Sequence, residues 1–154
     1  SLDDIQVVVH PQSIVHSAVQ FVDGAVIAQL GVPDMKLPIQ YALFYPDRRP
    51  MQEKRLDLFE LHSLTFEKPD TDTFRGLKLA YDSARIGGSM PTVFNAANEM
   101  AVKRFLKGDI KYLEIYSMIE EAMSHHNKVD NPDVAAILAA EQETYDFLGK
   151  KYNI

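Results

Sequence analysis

The chain has 154 residues, of which 46% are hydrophobic and 25% are charged, a composition typical of a globular protein rather than a disordered one. Its formal net charge of -6 argues against nucleic acid as a partner, because phosphate binding requires a basic surface. The absence of cysteine excludes disulfides and thiolate metal sites. No apolar run is long enough to span a bilayer and no signal-peptide pattern opens the chain, so we expect neither a membrane protein nor a secreted one.

The amino-acid composition and the spacing of apolar residues change near Glu67. We therefore predict two domains, 1–66 and 67–154. The first is rich in β-branched residues and prolines, which predicts a few-stranded sheet with a short helix. The second has apolar residues at helical spacing, which predicts a four-helix bundle. The expected fold class is α/β, in the broad sense that includes α+β.

The first domain opens with the apolar run Ile5 to Val9, which is typical of a strand buried on both faces. Asp23-Gly24 then predicts a two-residue hairpin turn, with Phe21 opposite Val26 and Gln20 opposite Ile27. In that register one hairpin face would be entirely apolar. The other would be a mixed face containing His16, Ala18, Gln20, Ile27 and Gln29.

Prolines define the next segments of the first domain. Pro38 suits the first turn of a short helix that runs toward Tyr45 and is stopped by Pro46. The following stretch, 47–54, contains Arg48-Arg49, a short basic pair that we expect to be solvated. Residues 56–66 are predicted to form a partly extended connector ending in a short strand at Leu64-Thr65-Phe66.

Four helices are predicted in the second domain, over about 74–86, 91–107 and 112–125 and from a cap at Asn131 onward. The expected inward residues of these helices, in chain order, are Leu77, Ala80, Tyr81 and Ala84; Phe94, Ala97, Ala101 and Phe105; Ile115, Met118, Ile119 and Ala122; and Val134, Ile137, Leu138, Tyr145 and Leu148.

Few residues carry an obvious chemistry. His10 and His16 would share one face of a continuous strand, as metal ligands do, but Pro11 interrupts the strand and favours a hydrogen-bonding or site-lining role. Met35 lies between two prolines, where it serves either a soft ligand contact or core packing. Composition and pattern alone do not reveal a function.

Several blocks, in their order and spacing, resemble the 1-deoxy-D-xylulose 5-phosphate reductoisomerases. They are His10-Pro11-Gln12-Ser13, Gln29-Leu30-Gly31-Val32-Pro33-Asp34-Met35, Leu64-Thr65-Phe66-Glu67-Lys68-Pro69-Asp70, Gly87-Gly88-Ser89-Met90-Pro91, Asn95-Ala96-Ala97-Asn98-Glu99 and Ala101-Val102-Lys103-Arg104-Phe105-Leu106.

The resemblance implies an NADPH- and divalent-metal-dependent (Mg or Mn) oxidoreductase and isomerase of isoprenoid biosynthesis by the non-mevalonate pathway. It covers only the part of such enzymes that follows the NADPH domain and the metal-binding carboxylates. We therefore expect a truncated C-terminal part that is inactive alone and binds neither cofactor. By the same resemblance, His10, Pro33 and Met35 border the substrate and nicotinamide pocket, and none of them is catalytic or a metal ligand.

The family resemblance also implies partners: the missing N-terminal domains, and a second copy that pairs through the sheet near Gln20, Gln29 and His16. It further implies the bacterial cytoplasm or a plastid. An alternative from a different class is a free-standing, non-catalytic module that dimerises through its sheet.

Overall fold

The computed structural model describes residues 2–153, which form two compact units. The first unit comprises residues 7–69, and the second comprises residues 2–6 and 70–153. A short 3-10 helix, Leu2–Asp4, belongs to the second unit, where the Tyr81 hydroxyl donates to the Ile5 carbonyl over 3.0 Å. Ser1 and Ile154, the outer ends of the two predicted domains, lie outside the described residues.

The first unit contains one antiparallel hairpin, made of β1 (Val15–Gln20) and β2 (Val26–Leu30). The Gly24 N–H donates to the Phe21 carbonyl over 2.9 Å, and the Phe21 N–H donates to the Ala25 carbonyl over 2.8 Å. Gly24 has φ of +86°, which closes a loop of three residues rather than two. Gln20 therefore lies opposite Val26, and the predicted register is wrong by one residue.

This shift redistributes the side chains, because a slip of one residue moves a strand's side chains to the other face. Val19 pairs with Ile27 on the same face as Gln29, whereas Gln20 pairs with Val26 on the opposite face. A bulge between Val15 and Ser17 leaves His16 unpaired. The predicted all-apolar face therefore does not form, and Gln20 and Gln29 do not share a face.

The two predicted strands that flank this hairpin are also absent as strands. Val9 forms an isolated bridge with Glu67, with both N–H to O distances 2.9 Å. Within the described residues, the backbones of Val7 and Val8 have no hydrogen-bond partner, and residues 2–6 belong to the helical unit. A run of β-branched residues forms a strand only where a neighbouring backbone is available.

Helix α1 spans Lys36–Phe44 and confirms the short helix predicted before Pro46. The Asp34 carboxylate accepts the Lys36 N–H over 2.9 Å at its start. The connector also contains an unpredicted turn of helix, α2 (Leu58–Leu61), because the Asp57 side chain accepts the N–H groups of Phe59 and Glu60.

The second unit contains α3 (Arg75–Ile86), α4 (Met90–Lys107), α5 (Glu114–His125) and α6 (Val134–Tyr152). The four predicted helices are confirmed, but α6 is capped by Asp133, which accepts the Ala136 N–H, and not by Asn131. All four helices contribute to one buried cluster: Leu79, Met90, Val93, Ala97, Ala101, Ile115, Tyr116, Met118, Ile119, Ala122, Ala140 and Leu148. Within residues 2–153, no helix has the length and apolarity needed to cross a bilayer.

The predicted inward faces were right for α5 and wrong in part for the other three helices. All four residues predicted for α5 are buried. Helix α3 buries Leu79 and Ser83, and α4 leaves Phe105 38% exposed. Helix α6 buries Ala140, Thr144 and Leu148 and leaves Val134 74% exposed. The buried cluster instead takes the small residues Ala97 and Ala101 from α4 and Ala140 from α6.

The end of α5 is tied to the start of α4 through the buried Ser89. Its N–H donates to the Val129 carbonyl over 3.0 Å, and its hydroxyl oxygen accepts the Val129 N–H over 2.9 Å and lies 2.7 Å from His126 Nε2. Gly88 approaches so closely that an added Cβ would lie 2.3 Å from the Val129 oxygen.

A similar tie joins α5 to α6. The Tyr152 hydroxyl donates to Glu121 over 2.7 Å, and Lys151 lies 3.1 Å from the same carboxylate. The hydrogen bond from Tyr152 holds the pKa of Glu121 below its usual value. Burial, followed by that hydrogen bond, raises the pKa of Tyr152 to about 12.

We expect Gly88→Ala to lower the free energy of unfolding by about 3 kcal/mol or more, because the new methyl group collides with Val129 and φ is +56°. Gly108→Ala is the matched control, since its φ is +81° but nothing lies within 4 Å of the added Cβ. That control should lose only about 1–2 kcal/mol. Urea denaturation measures both values, and equal losses would contradict the role given to the Val129 contact.

Candidate functional site

His10 lies directly after the Val9–Glu67 bridge and is fixed on two sides. Its Nδ1 is 2.8 Å from the Thr65 carbonyl oxygen, and its ring stacks on Phe66 with centroids 4.7 Å apart. A carbonyl only accepts hydrogen bonds, so Nδ1 carries a proton, and in the neutral imidazole Nε2 is then an acceptor.

That Nε2 atom is buried and has no hydrogen-bond partner among the described residues. A buried acceptor without a donor costs roughly 1–3 kcal/mol, and such atoms in native proteins usually have a partner. Nε2 of His10 is therefore a hydrogen-bonding atom that no described residue satisfies. This geometry suits the site-lining role predicted from the sequence.

Gln12 also joins the segment around His10 to the segment around Thr65. Its amide nitrogen donates to the Thr65 hydroxyl over 2.8 Å, and its amide oxygen accepts the Thr65 N–H over 3.3 Å. Two blocks that are about fifty residues apart in the chain, at His10–Ser13 and Leu64–Asp70, are thereby brought into contact. The sequence did not predict this pairing, because hydrogen bonds between distant loops leave no periodic signal.

Pro33 and Met35 lie in the loop between β2 and α1, and both are exposed. The loop begins where the Gly31 N–H donates to the Ile14 carbonyl over 3.0 Å. Met35 is 71% exposed, which rules out core packing within its unit and leaves its soft thioether available for contact. Within the described residues, no hydrogen bond, ion pair or ring contact joins His10 to either of them.

His16 and Gln29 converge above Gly31. A Cβ added to Gly31 would lie 3.3 Å from Gln29 Nε2 and 3.9 Å from His16 Nε2. Gln20, the third residue of the predicted mixed face, lies on the opposite face of the hairpin. Within residues 2–153, no group of three or more His, Asp or Glu residues is placed to hold a metal ion.

A cleft of about 420 Å³ lies between the β2–α1 loop, α1 and residues 47–56. Pro33 lines it, together with Arg48, Arg49 and Arg55. The guanidinium carbon of Arg48 is 3.6 Å from the Tyr41 ring centroid, and that of Arg49 is 4.0 Å from the Phe44 ring centroid. Both arginines are exposed, as predicted for a solvated pair, and each also lies over an aromatic ring.

A second cavity, of about 530 Å³, lies beside the end of α5 and α6. Its histidines have structural contacts: His125 stacks on Phe147 with centroids 3.9 Å apart, and His126 is hydrogen-bonded to Ser89. These contacts account for both residues without a ligand.

Comparison with known proteins places the chain in a family. The sequence profile described as "DXP reductoisomerase C-terminal domain" matches residues 30–147. The chain belongs to this family. The 1-deoxy-D-xylulose 5-phosphate reductoisomerase of Agathobacter rectalis is 59% identical over 98% of the chain, and that of Lachnospira eligens is 55% identical over 97%. The chain spans about 40% of the length of these relatives.

Solved reductoisomerase structures match the fold as well. The enzyme from Zymomonas mobilis in complex with NADPH gives a TM-score of 0.84 at 37% identity, with 93% of this chain and 38% of that one covered. A DOX-P reductoisomerase in complex with NADPH, fosmidomycin and magnesium gives a TM-score of 0.87 at 38% identity, with 94% of this chain and 38% of that one covered.

We expect Thr65→Val to lower the hydrogen-exchange protection of the Glu67 amide about fivefold to tenfold, since it removes the hydroxyl that bonds Gln12 beside the Val9–Glu67 bridge. Thr92→Val is the control, because the Thr92 side chain has no hydrogen bond within the described residues. An unchanged hydrogen-exchange rate of the Glu67 amide in Thr65→Val would show that the Gln12–Thr65 contact does not stabilise the Val9–Glu67 bridge.

Proposed function

We propose that this chain is the C-terminal part of a 1-deoxy-D-xylulose 5-phosphate reductoisomerase. Such an enzyme rearranges 1-deoxy-D-xylulose 5-phosphate and reduces the product with NADPH to 2-C-methyl-D-erythritol 4-phosphate, in the non-mevalonate route to isoprenoids. The observation that carries the proposal is 59% identity to a curated reductoisomerase across 98% of the chain. Structural similarity to an NADPH complex, with a TM-score of 0.84, supports it.

Within that assignment, residues up to 66 are the end of the central catalytic domain and its connector, and α3 to α6 are the family's C-terminal helical bundle. The shared core of the four helices supports the second part. The preceding domains of the same protein are then the partners that supply NADPH binding and the metal ligands.

In the same assignment, His10, Pro33 and Met35 border the substrate and nicotinamide pocket. The free, buried Nε2 of His10 is an acceptor for a polar ligand group or for a neighbouring domain. The exposed Pro33 and Met35 offer an apolar surface that suits an aromatic ring. None of the three transfers a proton or hydride in this proposal; each positions or encloses what the pocket holds.

The chain by itself is proposed to be inactive. Catalysis by a reductoisomerase needs a hydride donor and a cation held next to the substrate, and their positioning accounts for much of the rate. The described residues do not offer a donor set that fits a divalent cation. They instead provide one wall of a site that other residues of such an enzyme complete.

A chimera tests this assignment: the chain replaces the matching 40% of the Agathobacter rectalis relative. With 1-deoxy-D-xylulose 5-phosphate and Mg²⁺, the chimera should oxidise NADPH with kcat/KM within about tenfold of that relative. The 154-residue chain alone should show no turnover. A folded but inactive chimera would refute the assignment and favour a non-catalytic module, and turnover by the chain alone would refute its proposed inactivity.

The chimera also tests the pocket border. Met35→Ala should raise KM for NADPH about fivefold to tenfold with little change in kcat, because a contact made equally before and during reaction is lost. Leu43→Ala is the control, since Leu43 is similarly exposed, at 76%, on α1. Equal KM values for NADPH in the Met35→Ala and Leu43→Ala variants would refute the assignment of Met35 to the pocket border.

We also propose that the hairpin pairs with the hairpin of a second copy. A lone two-stranded sheet is marginally stable, and this one is exposed on both faces. Val19 and Ile27 form an apolar cross-strand pair that is 59% and 65% exposed, on the face that carries Gln29. The interface is therefore proposed on the face of His16 and Gln29 and without Gln20, in contrast to the predicted mixed face.

Ile27→Glu should weaken self-association about a hundredfold, because it places an unpaired carboxylate in the apolar contact. Val134→Glu is the control, an equally drastic change at a residue 74% exposed on α6. Sedimentation equilibrium measures both, and a monomeric unsubstituted chain or an unaffected Ile27→Glu variant would refute pairing through this face.

A further inference from the structure

Phe66 is a large aromatic residue whose position no apolar core explains. It is 53% exposed, although it belongs to a unit with few buried residues. Within residues 2–153, the one aromatic ring in contact with it is that of His10, which stacks on it with the two ring planes 18° apart. A half-exposed ring gains only part of the free energy of burial, so the contact with His10 is the better explanation of its position.

A single hydrogen bond does not fix an imidazole ring. The bond from Nδ1 of His10 to the Thr65 carbonyl oxygen leaves the ring free to turn, since the second torsion of histidine is broad. Stacking on Phe66 removes this freedom, because the two planes must stay nearly parallel. Together the two contacts fix the direction of Nε2, the buried atom that no described residue satisfies.

The backbone that carries Phe66 is itself tied to the backbone and side chains around His10. Thr65 is bonded to Gln12 through its hydroxyl group and its N–H, and Glu67 exchanges backbone hydrogen bonds with Val9. Three consecutive residues, 65–67, therefore each contact the segment 9–12. Phe66 thus approaches His10 from a supported backbone, as a residue that orients a binding group must.

We propose that Phe66 is a positioning residue of the reductoisomerase site, whose ring holds the His10 imidazole so that Nε2 keeps one direction. The inference rests on the proposed function, which makes His10 part of the pocket border. Phe66 touches neither substrate nor cofactor and acts through His10. A displacement of about 1 Å in such a site costs up to about a hundredfold in rate, so loss of the stack alone, with the Thr65 bond kept, should cost about tenfold.

NMR of the chain alone tests the contact without any reductoisomerase activity. At mildly alkaline pH, the long-range proton–nitrogen correlation of His10 should show the proton on Nδ1, as the bond to Thr65 requires. Phe66→Leu keeps an apolar side chain but loses the stack, and should give a mixture of the two tautomers. Phe66→Tyr keeps the ring and should preserve the Nδ1–H form. Unchanged His10 nitrogen shifts in Phe66→Leu would overturn the proposal.

The chimera with the Agathobacter rectalis relative provides the functional measurement. Phe66→Leu should lower kcat/KM for 1-deoxy-D-xylulose 5-phosphate about tenfold, whereas Phe66→Tyr should stay within about twofold of the unsubstituted chimera. Phe74→Leu is the matched control, because Phe74 is 52% exposed and contacts no aromatic ring within the described residues. It should leave kcat/KM unchanged.

A double-mutant cycle shows whether Phe66 acts through His10. In a His10→Gln background, Phe66→Leu should have no further effect on kcat/KM, because the side chain that it positions is gone. A full additional loss in that background, equal losses in Phe66→Leu and Phe74→Leu, or equal losses in Phe66→Leu and Phe66→Tyr would each overturn the proposal. An inactive unsubstituted chimera would instead refute the proposed function, while the NMR measurement decides the Phe66–His10 contact independently.

Discussion

The hydrogen bonds between the two ends of the first unit are the interaction on which its structure depends. Val9 and Glu67 exchange backbone hydrogen bonds, and His10 and Gln12 bind Thr65 directly beside them. Ile14 and Gly31 are the buried residues of this unit among those described, so an extensive apolar core does not hold it together. Closing a loop of more than fifty residues costs entropy, and these directional bonds offset part of that cost.

The second unit is stabilised in another way. Its four helices share an apolar cluster, and directional bonds at Ser89 and Tyr152 fix where the helices end. The contrast matters for function, because exposed loops on a scaffold are where ligands are usually bound. The unit with the weaker core carries the unpartnered histidine nitrogen, the exposed Met35 and the cleft lined by Arg48, Arg49 and Arg55.

Two of the arginines that line the 420 Å³ cleft, Arg48 and Arg49, lie over aromatic rings. A guanidinium group in solvent is mobile, but one that lies over Tyr41 or Phe44 has lost much of that freedom already. The same cleft includes Pro33, so the region that family resemblance marks as a pocket border also presents a concave, charged surface.

The sequence by itself determined the helices of the second unit, the short helix before Pro46, and the family, because periodicity, proline and ordered motifs are local signals. It did not determine the hairpin register: Asp23-Gly24 suits two kinds of turn, and only the hydrogen bonds of Phe21 distinguish them. It did not determine which faces of α3 and α6 are buried, because contact with neighbouring helices overrides apolar spacing. The binding of His10 to Thr65 and the gathering of Arg48, Arg49 and Arg55 were decided only by the tertiary structure, because both depend on residues that folding brings together.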